Sequence, residues 1–154
     1  MIDPQIIHRI SRWCWLHNLE SLAKGLQRIN YLLTSCDLPY TVNIGKGVRF
    51  QHYGCGVIMH IWTVIGNDVV IHPHVVIGVN VRNGIPADVK LIVIGDGAQL
   101  GAGAKIIASD NLEIGKGAHI GANAVVLNSI PPGATAVGIP ARILLPQGEG
   151  SPPI

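Results

Sequence analysis

Seven histidines and three cysteines carry much of the side-chain chemistry open to this 154-residue chain. His52 stands apart because of its surroundings, Phe50-Gln51-His52-Tyr53-Gly54-Cys55-Gly56. An imidazole titrates near neutrality and can take the proton of an attacking hydroxyl. His60, His72, His74 and His119 read as exposed corner residues or as lining of an acceptor pocket; zinc ligation is the rival chemistry. Cys14, Cys36 and Cys55 are odd in number and lack metal-type spacing, which reads as reduced thiols in a cytoplasmic protein. Asp37 lies fifteen residues before His52, in a connector over 35–41.

These residues are positioned by a six-residue rhythm. Aliphatic or aromatic residues fall at Ile44 and Phe50, at Met59, Ile65, Ile71 and Ile77, at Ile94, Leu100 and Ile106, and at Ile114, Ile120 and Val126. Glycine often follows directly. Four places on stands a small or β-branched residue: Val48, Thr63, Val69, Val75, Val81, Ala98, Ala104, Ala118 and Ala124. This is the pattern of a left-handed parallel β-helix, in which three hexads make one triangular coil, with about four coils in all. The rhythm breaks over 50–59, over a loop at 83–93 and over 106–114. Irregularities of a solenoid are where function tends to sit, since regular coils need only stack.

Before the repeat, residues 3–33 read as helix. Asp3 is the cap, Pro4 suits the first helical position and Asn18 divides the stretch in two. Ile6, Ile10, Trp13, Leu16, Leu19, Leu22, Leu26, Ile29 and Leu33 draw one apolar stripe. It reads as a packing or trimer-contact face, with a membrane-surface helix as the minority reading. The resulting layout is a helical segment over 1–36, a β-helix over 37–142 and a tail over 143–154 that is expected to be disordered.

Apolar residues make up 48% of the chain and charged residues 13%, too apolar for disorder and suited to buried subunit contacts. No run is long enough for a membrane span, and no signal peptide is evident. A net charge of +2 without a basic block argues against nucleic acid.

The segment from Asp37-Leu38-Pro39 through Ile44-Gly45-Lys46-Gly47 to Gln51-His52 resembles the serine O-acetyltransferases among the hexapeptide-repeat acyltransferases. So do Leu100-Gly101-Ala102-Gly103-Ala104-Lys105-Ile106, Ile120-Gly121-Ala122-Asn123-Ala124-Val125-Val126 and Gly138-Ile139-Pro140-Ala141-Arg142. The resemblance implies acetyl transfer from acetyl-CoA to a small hydroxyl acceptor, L-serine above all, in cysteine biosynthesis. His52 would be the general base and Asp37 its partner, hydrogen-bonded to the other ring nitrogen. Backbone N–H groups of 54–56 or Gly78 would hold the oxyanion. Gly78, Gly101, Ala102, Gly121 and Ala122 would line the acetyl-CoA groove between subunits of a homotrimer, with Lys105 and Arg142 toward its phosphates. Gln51, His72 and Lys90 would face the acceptor. The terminal Ile154 would dock a cysteine synthase. No metal is expected.

The chain departs from that family in four respects. The large N-terminal helical domain has no counterpart, Gln51 stands where an acidic residue is usual, and three residues are inserted after His52. Lys90-Leu91 stands where an Arg-His pair usually grips serine. Three other readings stay open: a sugar hydroxyl of a surface polysaccharide as acceptor, a zinc protein similar to the γ-class carbonic anhydrases, and a trimeric scaffold without catalysis.

Overall fold

The computed structural model describes residues 2–144. Helix α1 spans Pro4–Leu16 and helix α2 spans Glu20–Thr34. The Asp3 carboxylate accepts from the Gln5 N–H at 2.9 Å, satisfying one of the free donors of the first turn. Asn18, in the left-handed region at φ 61°, separates the helices as expected.

The helices pack with the opposite face from the one the apolar stripe suggests. Gln5, His8, Ser11 and Cys14 of α1 and Ala23, Asn30 and Thr34 of α2 are buried. Ile6, Trp13 and Leu16 remain 58%, 55% and 60% exposed. The reason is polar. Gln5 Nε2 donates to Val48 O at 3.1 Å, His8 Nε2 to Pro39 O at 3.2 Å and Arg12 Nη1 to Thr41 O at 2.7 Å. Carbonyls of the first coil thus take donors from α1, and Pro39 O accepts from Val42 N as well, at 3.0 Å. Small residues at the helix crossing let α1 and α2 approach, and Ser11 Oγ donates to Ala23 O at 2.8 Å.

The rest is a three-faced prism, mainly β, with the left-handed β-helix architecture. The first face stacks Asn43–Ile44, Thr63–Ile65, Ile92–Ile94 and Leu112–Ile114. The second stacks Arg49–Phe50, Val70–Ile71, Gln99–Leu100, His119–Ile120 and Thr135–Val137, closed by the antiparallel Arg142–Leu144. The third stacks Ile58–Met59, Val76–Val79, Lys105–Ala108 and Val125–Val126.

Both inward rows are filled as the hexads require. Ile65, Ile71, Ile77, Ile94, Leu100, Ile106, Ile114 and Val126 are fully buried, and so are Val69, Val75, Ala98, Ala104, Ala118 and Ala124. Val81 is the exception and is exposed. It has already left the prism, in a hairpin where Val81–Arg82 pairs with Ile85–Pro86. The loop therefore runs over 80–91, and Ile92 belongs to the first face. The glycines after the aliphatic residues answer to stacking. A Cβ on Gly101 would lie 2.7 Å from Ala122 N and Ile120 O of the next coil.

Register measures the insertions. Arg49 pairs with Val70, Val70 with Gln99 and Gln99 with His119. Offsets of 21, 29 and 20 residues replace the eighteen of three uninterrupted hexads. The first excess is the turn after His52, the second the 80–91 loop and the third the step at 109–110.

Candidate active site

Along the edge between the second and third faces, the turns of successive coils stack directly. His74 N donates to Cys55 O at 2.8 Å, Gly103 N to Pro73 O at 2.9 Å and Asn123 N to Ala102 O at 2.8 Å. One edge thus collects Gln51, His52, His72, Gly101, Ala102, Gly121 and Ala122. Ala102 and Ala122 are exposed, so the later coils present a smooth rim below the histidines.

The turn that carries His52 is unusual in its backbone. His52 and Tyr53 are both left-handed, at φ 49° and 56°, and both are exposed. Two successive bulky residues in that region cost of order 1–3 kcal/mol each, and persist only where neighbours hold them. Cys36 does part of the holding: its thiol donates to Gly54 O at 2.6 Å and lies 3.4 Å from Tyr53 O. Burial pushes the Cys36 thiol up to about 11, so it stays protonated and donates. Gly54 is required because a Cβ would lie 2.8 Å from both Cys36 Sγ and Phe50 Cδ1. At Gly56 a Cβ would run into the His74 ring. The Gly56 N–H already donates to Ser35 O at 3.1 Å, which removes it from the set of oxyanion donors.

Asp37 follows Cys36 and is pinned to the third face. Its N–H donates to Val57 O at 2.9 Å and its carbonyl accepts from Met59 N at 3.0 Å. Asp37 and His52 thus flank one turn. Their side chains share no hydrogen bond among the described residues; instead Asp37 Oδ1 accepts from Gln27 Nε2 at 2.9 Å. Gln27 is a site residue that sequence reading missed. No local pattern marked it, since Gln27 lies beside the apolar stripe and its partner lies in the first coil. Gln27, Arg28, Tyr31 and Leu32 line, with Asp37 and Ile58, a cavity of about 500 Å³ between α2 and the third face.

The remaining candidates divide. Gly78 and Lys105 lie on the third face. A Cβ on Gly78 would meet only Ile107 Cδ1, at 3.7 Å, so stacking does not demand glycine there. Lys105 is exposed and its Nζ donates to Gly103 O at 3.0 Å. At Gly121 a Cβ would lie 2.9 Å from the Val137 Cγ1 methyl and 3.4 Å from the nearest backbone atom, Ala136 O, so stacking restricts it less than Gly101. Arg142 is exposed at the last coil, paired with Val137. Lys90 sits on a different edge, between the third and first faces, and one chain does not bring it to His52. Asn111 Oδ1 accepts from the N–H groups of both Lys90 and Leu91 at 3.0 Å.

The other histidines are scattered. His60 Nδ1 accepts from Trp62 N at 3.4 Å, and burial lowers its pKa. His74 is exposed in the left-handed region, and His119 is exposed on the second face between Gln99 and Thr135. Among the described residues no group of three His, Cys, Asp or Glu side chains is placed to hold a metal ion, and the three cysteines are free thiols.

No protein-family model matches the chain. The serine acetyltransferase of Haemophilus influenzae is 38% identical over 145 residues, covering 94% of this chain and 52% of that protein. A solved serine acetyltransferase in complex with CoA superposes with a TM-score of 0.80 at 38% identity, over 92% of this chain and 55% of that one. A soybean serine acetyltransferase complexed with serine superposes with a TM-score of 0.81 at 38% identity, over 92% of this chain and 56% of the other. The chain spans about half the length of the curated relatives it matches.

Proposed function

The chain belongs to the serine acetyltransferase family over the half of those enzymes that it spans, and on that premise we propose that it transfers the acetyl group of acetyl-CoA to the hydroxyl of L-serine, in cysteine biosynthesis. The observation that carries the reading is the His52 turn, a doubly left-handed loop exposing an imidazole at the head of a smooth edge.

His52 takes the proton of the acceptor hydroxyl as its oxygen attacks the thioester carbonyl. The tetrahedral intermediate collapses with loss of the CoA sulfur, which recovers the proton from the imidazolium. The products are the O-acetyl ester and CoA. Asp37, on the other side of the same turn, offsets the transient charge of the imidazolium. Its neighbourhood supports that role, because Asp37 is anchored to 57–59 and Cys36 to 53–54, on either side of one turn. The acetyl-CoA arm lies along Gly78, Gly101, Ala102, Gly121 and Ala122, with Lys105 and Arg142 toward its phosphates.

The assembly in this proposal is a homotrimer. Outward apolar residues of the third face, Ile58 and Leu127 among them, and the outward stripe of α1 and α2 supply surface for subunit contact. Docking of a cysteine synthase through Ile154, which lies outside the described residues, belongs to the same proposal. The site is cytoplasmic in this reading; no helix among the described residues is long and apolar enough to cross a membrane.

One observation favours a second reading. Lys90 and Leu91 replace the family's Arg-His pair and lie away from His52, which suits a sugar hydroxyl as acceptor. Thiol release from acetyl-CoA, with L-serine or with a nucleotide sugar as acceptor, separates the two. The serine reading expects release that saturates with L-serine and not with the sugar; the reverse result overturns it.

A further inference from the structure

The cavity beside Asp37 carries two opposite charges that do not neutralise each other. Asp37 is held by Gln27, and the Arg28 guanidinium forms no ion pair among the described residues, where the only pairs are Lys24 with Glu20 and Lys90 with Asp88. Both side chains line the same space of about 500 Å³, with Leu32 and Ile58 as its apolar walls. An isolated anion bound at Arg28 would be opposed by Asp37. A ligand that carries an ammonium beside its carboxylate satisfies both, and an α-amino acid is the small molecule of that description. A planar guanidinium presents paired donors that match a carboxylate, which an ammonium point charge does not. A sugar hydroxyl can accept from the guanidinium but brings no cation to Asp37.

Resting on the serine reading above, we propose that Arg28 is the specificity-determining residue that holds the acceptor's carboxylate. It would supply from α2 the grip that the 80–91 loop lacks. Lys90 is drawn toward Asp88, 3.7 Å away, and Leu91 has no side-chain donor. The acceptor would then be set beside Asp37, next to the turn of His52. Arg28 acts on binding and not on the proton transfer.

The test is steady-state kinetics on the wild type, Arg28→Gln and Arg28→Lys, with L-serine and with L-serinamide, which lacks the carboxylate. Arg28→Gln is expected to raise the KM for L-serine about tenfold to a hundredfold, as loss of a charge-assisted hydrogen bond does. The KM for acetyl-CoA and the melting temperature should not move. The wild-type preference for L-serine over L-serinamide should collapse in Arg28→Gln and return in part in Arg28→Lys. An Arg28→Gln enzyme that keeps this preference overturns the inference while leaving the serine reading intact. A wild type that does not acetylate L-serine at all overturns both.

Discussion

Along the edge between the first and second faces, side chains are consumed by the backbone. Asn67 Oδ1 accepts from Lys46 N at 2.9 Å, and Asp96 Oδ1 accepts from Asn67 N at 2.6 Å. Main-chain bonds repeat the pattern from coil to coil, from Asp68 N to Lys46 O, from Gly97 N to Asn67 O and from Gly117 N to Asp96 O. Along the edge between the second and third faces the same turns stack, but the side chains differ. His52 makes no side-chain hydrogen bond among the described residues, and Ala102 and Ala122 are exposed and apolar. Short polar residues at a solenoid corner bind the coil beneath them and are used up in doing so. An edge with a free imidazole above alanines has its chemistry available for something that is not protein. The insertion sharpens the contrast: three extra residues interrupt the second edge at His52, and the first edge has no insertion among its described turns.

The largest stability effect expected comes from neither edge. His8 is buried against Pro39 O, and burial lowers its pKa from 6.5 to about 4. Its folded form is the neutral imidazole. The stability it contributes is full above pH 6.5, declines as the pH falls toward about 4 and is flat below that. The total is about 3 kcal/mol at roughly 1.4 kcal/mol per pKa unit. Denaturant unfolding followed across that range should show the slope. His8→Gln, whose amide can still donate to Pro39 O, should flatten it; an unchanged slope would locate the titration elsewhere.

On the second edge, Gly101→Ala is expected to cost about 1–3 kcal/mol, because its Cβ meets the backbone of the next coil. A variant with wild-type stability would mean that the coils are looser than the stacking implies. On the first edge, Asn67→Ala removes one exposed capping bond and should cost about 1 kcal/mol or less. Turnover should be unchanged. A tenfold loss of activity from Asn67→Ala would erase the distinction between the edges.

Much of this was legible in the sequence, because a hexad fixes both which residue points inward and how large it is. Ala98, Ala104, Ala118 and Ala124 are buried where the pattern requires small side chains. The nine-residue step after Phe50 marked the His52 turn. The orientation of α1 and α2 was not legible. An apolar stripe signals burial, yet the carbonyls of Val48, Pro39 and Thr41 are met by Gln5, His8 and Arg12 on the other face. No local pattern announces a carbonyl some thirty or forty residues away. The bond from Gln27 to Asp37 was missed for a similar reason, since it joins a helix to the first coil. Val81 kept the period by coincidence after the chain had left the prism.

The central claim is that the free imidazole of the second edge is the working group. The direct measurement is acetyl-CoA turnover by thiol release, with and without L-serine, for the wild type and His52→Ala. General-base assistance is worth about 10²–10⁴ in rate. The account predicts a fall of that order in kcat with the affinity for acetyl-CoA nearly unchanged. Serine-dependent release within tenfold of the wild type would contradict it and assign the base to another group.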